Sequence, residues 1–266
     1  MKHFLCFGLF LLGSFGMVLA QSNSVSKNVS TILLADSIHP THRKIWIYTP
    51  ANYAQSKKRY PVLYVHDAQN LFDAKTSYAG EWNIDEKLDS LNAQVIVIGI
   101  EHGNEKRLDE LTPYQNEQYG GGKAAAYLDF IIHTLKPEID KKYRSKPDPK
   151  HTLIMGSSLG GLVSLYAVMK YPNVFGKAGV FSPSLWFSEQ IYTDLKALPE
   201  FKAKVYLLCG DHESESMVTD IKRLEYNINE KRCYCLNLNK LKIVPGGQHN
   251  EKLWRDAFVK AYLWLF

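Results

Sequence analysis

Apolar residues along this chain fall into two periods, and the alternation of those periods predicts the architecture. Continuous apolar runs occupy Pro61–Val65, Gln94–Ile100, His151–Met155, Ala178–Phe181 and Val205–Cys209. Short runs rich in Val, Ile and Leu read as strands buried on both faces. Ile32–Asp36 and Lys44–Tyr48 predict an early strand pair, and the alternation in Arg43–Tyr48 predicts that one face of its second strand is exposed. Leu236–Val244 reads as the last strand. Helical spacing takes over in Trp82–Leu91, Ala124–Leu135, Leu162–Met169 and Glu251–Phe266, where Trp254, Phe258, Tyr262 and Leu265 make one apolar stripe. Strands alternating with helices predict an α/β protein with a mostly parallel central sheet and helices on both faces. In such sheets a ligand site lies beyond the carboxyl ends of the strands.

The first twenty residues read differently. Lys2 and His3 precede the apolar run Phe4–Leu12, and Val18-Leu19-Ala20 offers a small-residue cleavage site. This predicts a signal peptide over residues 1–20, an exported (periplasmic or secreted) product, and one domain over 21–266. No later segment is apolar enough to stay in a bilayer after cleavage. The formal charge of +5 is small and its basic residues are scattered, which disfavours a nucleic-acid partner. Of the four cysteines, Cys209, Cys233 and Cys235 follow the cleavage site, and an odd number argues against a disulfide framework.

Candidate chemistry centres on Ile154-Met-Gly-Ser-Ser158-Leu-Gly-Gly161. It reads G-x-S-x-G between a predicted strand and a predicted helix, the setting of a sharp turn that exposes a serine hydroxyl. Serine needs a base to become a nucleophile. Among nine histidines, His249 follows the last strand, after Gly246-Gly247, and so falls at the correct end of the sheet. The loop Gly210-Asp-His-Glu-Ser-Glu215 follows the preceding strand and supplies a carboxylate to orient that base, either Asp211 or Glu213. Backbone N–H groups of Leu159, at its helix N-terminus, and of Gln69, in the loop after Pro61–Val65, suit an oxyanion hole. The order serine, acid, histidine is that of α/β-hydrolases.

Several further stretches carry a resemblance. They are Tyr60–Asp73, Glu81-Trp82, Gly99-Ile100, Glu110-Leu-Thr-Pro113, Gly156–Gly161, Ser182-Pro-Ser-Leu-Trp186, Gly210–Glu213 and Gly246–Trp254. Together they resemble the esterase family of α/β-hydrolases that includes siderophore trilactone esterases, feruloyl and acetyl-xylan esterases, S-formylglutathione hydrolases and mycolyltransferases. The resemblance runs from about residue 40 to the C-terminus. It implies the α/β-hydrolase fold, Ser158 as nucleophile, His249 as base, Glu213 as acid, and the Gln69 and Leu159 amides as oxyanion hole.

Remaining signals refine this picture. Gly120-Gly-Gly-Lys123 lacks the Ser or Thr that a phosphate loop needs, and metal-ligand spacing of the H-E-x-x-H or C-x-x-C type is absent from the sequence, so neither nucleotide, metal nor other cofactor is expected. Trp82 and Trp186, with Tyr78, Tyr114, Tyr119 and Phe181, are candidate walls for an aromatic or sugar substrate. Arg107 either pairs with Glu110 or meets an anionic substrate group. The expectation is an exported serine carboxylic-ester hydrolase acting on a small-molecule or carbohydrate ester, with acyl transfer or glycan binding as the alternatives.

Overall fold

The buried runs do pair into a parallel core. The computed structural model describes residues 24–36, 42–232 and 238–266. The predicted signal peptide, Cys233, Cys235 and the start of the predicted last strand lie outside them. The strands are β1 (Val29–Leu34), β2 (Arg43–Tyr48), β3 (Val62–His66), β4 (Ile96–Ile100), a two-residue hairpin β5 (Gln115–Asn116) and β6 (Gly120–Gly121), then β7 (Thr152–Ser157), β8 (Lys177–Phe181), β9 (Lys204–Gly210) and β10 (Asn239–Val244). Apart from the hairpin they form one sheet in the order β1-β2-β4-β3-β7-β8-β9-β10. β2 is antiparallel to β1 and β4, and every pair from β4 onward is parallel. This is the α/β-hydrolase arrangement.

Two apolar cores flank the sheet because its strands are apolar on both sides. Ile154, Val180 and Leu207 face one core, covered by α3 (Ala124–Phe130), α4 (Lys136–Lys142), α5 (Leu159–Lys170), α6 (Gln190–Ala197) and α7 (Met217–Glu230). Leu153, Met155 and Leu208 face the other, covered by α1 (Ile84–Ser90) and α8 (Glu251–Leu265). The short helix α2 (Arg107–Leu111) adds Leu111 to the first core.

Three local expectations are corrected. β1 starts at Val29 and ends at Leu34, displaced toward the N-terminus from Ile32–Asp36. β2 has no exposed face: Ile45 and Ile47 enter the first core, while Trp46 and Tyr48 enter the second. Arg43 begins it, yet is buried in ion pairs with Asp36 at 2.6 Å and Glu110 at 2.7 Å. Polar/apolar alternation misreads this strand because charge pairing and large amphipathic rings cover what would be its wet side. Finally, α1 begins at Ile84, since Asn83 takes a left-handed conformation (φ 53°) that keeps Trp82 out of the helix.

Candidate active site

Ser158 stands at the end of β7 with φ 58° and ψ −122°, a conformation costly for a residue with a Cβ. Its neighbours explain why only glycine fits around it. A Cβ on Gly156 would lie 2.7 Å from the Gly160 carbonyl carbon, and one on Gly161 would lie 2.6 Å from the Phe181 carbonyl oxygen. The turn is pinned from β8: the Ser158 N–H donates to the Phe181 carbonyl at 2.9 Å, and the Ser184 N–H donates to the Ser158 carbonyl at 3.1 Å. The Leu159 N–H, the first of α5, belongs to the helix N-terminus, whose leading N–H groups have no partner within the helix. The Ser158 hydroxyl lies 3.2 Å from the Ser184 hydroxyl.

Across the site, Glu213 and His249 pair closely. Glu213 Oε2 lies 2.8 Å from His249 Nδ1, with the acid's side chain 1% exposed and the imidazole 36%. The other oxygen, Glu213 Oε1, accepts from the Gly210 N–H at 2.6 Å and from the Ser182 hydroxyl at 2.7 Å. An ionised carboxylate only accepts, so His249 Nδ1 must carry the proton and its Nε2 is left as the basic nitrogen. The alternative acid is turned elsewhere: Asp211 Oδ1 accepts from the Gly246 N–H and faces His212 Nδ1, both at 2.7 Å. Asp211 thus braces the His249 loop without touching the imidazole. No hydrogen bond joins Ser158 to His249 among the described residues; such contacts are commonly long in a substrate-free site and tighten when substrate binds.

The Gln69 loop is braced on several sides. Asp67 is left-handed (φ 58°) and receives a bidentate grip from Arg107, at 2.7 and 2.9 Å. Burial pushes the Asp67 carboxyl up, but the guanidinium of Arg107 outweighs it and holds the group below its usual range. The Gln69 side chain ties to the backbone of His102 in both directions, at 3.1 and 3.3 Å, and the Gln69 backbone carbonyl accepts from the Thr76 hydroxyl at 2.7 Å. Gly160, next to Leu159, has room for no more than a close approach of this loop, since its Cβ would sit 3.3 Å from Asp67 Oδ2. The side chains of His66 and Asp67 therefore pack against the helix start that presents Leu159. Arg107 does not pair with Glu110, which is committed to Arg43. Arg107 Nε and Nη2 are engaged by Asp67, and its side chain stays 30% exposed.

The two tryptophans separate. Trp82 is 3% exposed, stacked at 5.8 Å on Phe181 and tilted at 6.1 Å against Trp254. It is a core residue, not a substrate wall: with α1 starting only at Ile84, its ring turns inward beneath α8. Phe181 is fully buried as well. Trp186 is 58% exposed and packs edge-on to Tyr119 at 5.6 Å, two residues beyond Ser184. Cys209, at the end of β9, is buried, and burial pushes its thiol up to about 12, which leaves it a poor nucleophile.

Sequence reasoning missed Ser182 and Ser184 as site residues, although Ser182-Pro-Ser-Leu-Trp186 was singled out as a motif. It also took Trp254 only as core, whereas its indole N–H donates to Ser182 at 2.8 Å and its ring meets His249 edge-on at 5.1 Å.

Known proteins resemble this chain in sequence and in fold. The Bacillus subtilis protein described as "Uncharacterized protein YbbA" is 28% identical over 243 residues, covering 85% of this chain and 93% of that one. "Ferri-bacillibactin esterase BesA" of the same species is 30% identical over 146 residues, 49% of this chain and 50% of that protein. The crystal structure of the BES protein from Bacillus cereus superposes with a TM-score of 0.71 at 21% identity, over 91% of this chain and 95% of that one, which shows a shared fold. Residues 37–265, nearly everything after the predicted leader, match the "Putative esterase" family, and with its elbow serine set in this sheet the chain belongs to that family of esterases.

Proposed function

We propose that this protein is an exported serine carboxylic-ester hydrolase working through an acyl-enzyme. The observation that carries the reading is the split use of Glu213. One oxygen is saturated by Gly210 and Ser182, and the other is aimed at His249 at 2.8 Å. A buried carboxylate held this way for structure alone would gain nothing from a half-exposed imidazole; held for catalysis, it sets the tautomer that leaves Nε2 basic.

In the proposed cycle His249 Nε2 takes the Ser158 proton as Oγ adds to the ester carbonyl. The developing oxyanion is received by the N–H groups of Leu159 and Gln69. The imidazolium then protonates the departing alcohol, leaving Ser158 acylated. Water repeats the sequence, and the acid product leaves. Rotation of the Ser158 hydroxyl away from Ser184 begins the cycle. The substrate class we infer is a siderophore-like lactone or an acyl ester of a carbohydrate. The exposed Trp186–Tyr119 pair beside Ser184 suits a flat ring in either one. Among the described residues no helix is long and apolar enough to cross a membrane; export itself rests on residues 1–20.

The test is hydrolysis of p-nitrophenyl acetate and butyrate, then of a feruloyl ester and a trilactone, by the mature protein and its Ser158→Ala variant. Release by the parent alone supports the reading, and the preferred ester selects the substrate class. Turnover retained by Ser158→Ala would refute it. Ester formation on an added sugar in place of free acid would redirect the reading to acyl transfer.

A further inference from the structure

Beyond the three residues of the proposed triad, a directional hydrogen-bond chain reaches the acid from the far side. Ser182 follows β8 in a left-handed conformation (φ 42°) and is fully buried. Its N–H is fixed to the Leu208 carbonyl of β9 at 2.6 Å, so the residue is strapped across two strands. Its hydroxyl has two neighbours of opposite character, Trp254 Nε1 at 2.8 Å and Glu213 Oε1 at 2.7 Å. An indole N–H can only donate and an ionised carboxylate can only accept. The proton order is therefore forced: Trp254 donates to Ser182, and Ser182 donates to Glu213.

Trp254 closes the circle. It rides in the first turn of α8, whose N-cap Asn250 accepts from the Leu253 N–H at 3.1 Å and immediately follows His249. Its indole packs perpendicular to the imidazole, at 89° and 5.1 Å. One side chain thus touches the base by its ring and the acid through Ser182. The Trp82–Phe181 stack lies against the same indole and limits its freedom.

We propose that Ser182 and Trp254 are positioning residues, a relay that locks the Glu213 carboxylate and the His249 ring in the one relative orientation that leaves Nε2 facing Ser158. The proposal rests on the serine-esterase reading above. Without the Ser182 hydroxyl, Glu213 Oε1 keeps only the Gly210 N–H, and the carboxylate is held by that bond and by His249 alone, with more freedom to rotate. The loss falls on the chemical step, because neither residue is needed to bind the ester.

Four variants test this: Ser182→Ala, Ser182→Gly, Trp254→Phe and the Ser182→Ala/Trp254→Phe pair, with Ser158→Ala beside them. Glycine at position 182 also removes the hydroxyl but relieves the left-handed backbone, so it separates hydrogen bonding from strain. Phenylalanine keeps an aromatic ring beside His249 and removes the donor, with some loss of buried volume against Trp82 that thermal unfolding reads separately. We expect kcat to fall about tenfold to a hundredfold in both Ser182 variants, the worth of one hydrogen bond to a charged group, with KM unchanged. Trp254→Phe should lower kcat in the same direction. The double variant should be no slower than Ser182→Ala, because removing both ends of a broken hydrogen bond leaves no orphaned donor. Labelling of Ser158 by a fluorophosphonate should slow in parallel, since it needs the same base, while thermal unfolding confirms that each variant is folded. Unchanged kcat and labelling rates in folded Ser182→Ala and Ser182→Gly, with Ser158→Ala inactive, would overturn the relay and spare the triad. Activity in Ser158→Ala would instead overturn the reading on which the relay depends.

Discussion

Replacing Glu213 by glutamine isolates what the acid contributes, and the structure dictates how the amide must sit. The Oε1 position faces two donors, the Gly210 N–H at 2.6 Å and the Ser182 hydroxyl at 2.7 Å. An amide NH2 placed there would set donor against donor and forfeit two buried hydrogen bonds, at about 1–3 kcal/mol each. The oxygen therefore takes that position and the NH2 turns to His249. Facing a donor, His249 Nδ1 must accept, and the imidazole proton moves to Nε2, the atom that has to be a base. Side-chain volume and fold are preserved while the tautomer is inverted. In a serine–histidine–carboxylate site this exchange costs about ten-thousandfold in kcat, or about 5 kcal/mol of transition-state stabilisation. We expect Glu213→Gln to lose a thousandfold or more (about 4 kcal/mol) in initial rates on p-nitrophenyl butyrate near neutral pH, with KM little changed. Nitrogen NMR of His249 should report the proton on Nε2. Asp211→Asn should retain the parent kcat, because Asp211 binds the Gly246 N–H and not the imidazole. A Glu213→Gln enzyme within tenfold of the parent, with its proton still on Nδ1, would refute the reasoning.

Other expectations follow from burial. His66 is enclosed at the end of β3, with Nδ1 2.8 Å from the Tyr127 hydroxyl, and burial pushes its pKa down to about 4 from 6.5. The folded state resists protonation there, so this contribution to stability is full above pH 6.5 and is lost as pH falls toward about 4. It amounts to at most about 3 kcal/mol; urea unfolding at neutral and mildly acid pH should show it, and His66→Gln should flatten the slope. Trp82→Ala should cost about 3–5 kcal/mol by emptying a stacked core position. Trp186→Ala, on the surface, should leave stability within about 0.5 kcal/mol and raise KM for aromatic esters. Equal unfolding midpoints for those two variants would contradict the burial argument.

Much of this site was legible because its chemistry is local. Gly156, Ser158, Gly160 and Gly161 sit within six positions, and the steric demands that select glycine there are met by the turn itself and by the adjacent strand. His249 and the Gly210 loop could be placed by counting strands, since a parallel sheet puts every strand's carboxyl end on one side. The choice between Asp211 and Glu213 was not local: both occupy the same turn, and what separates them is which side chain points at a loop some 36 positions later in sequence. Trp82 was misread for a similar reason. An aromatic residue in a loop looks like a binding wall until α8, from the far end of the chain, covers it. The relay through Ser182 and Trp254 spans 72 positions and leaves no periodic trace.

The strand order also anchors the two residues of the proposed catalytic pair unequally. Ser158 leaves from β7, which has paired neighbours on both sides, whereas His249 follows β10, which among the described residues ends the sheet and pairs only with β9. Edge strands open locally at lower free energy than central ones. On warming, amides of β10 should exchange with solvent before those of β7, and His249, the proposed base, should leave the site while Ser158, the proposed nucleophile, still stands. Esterase activity would then decline ahead of global melting, and cooling would restore it without refolding of the core.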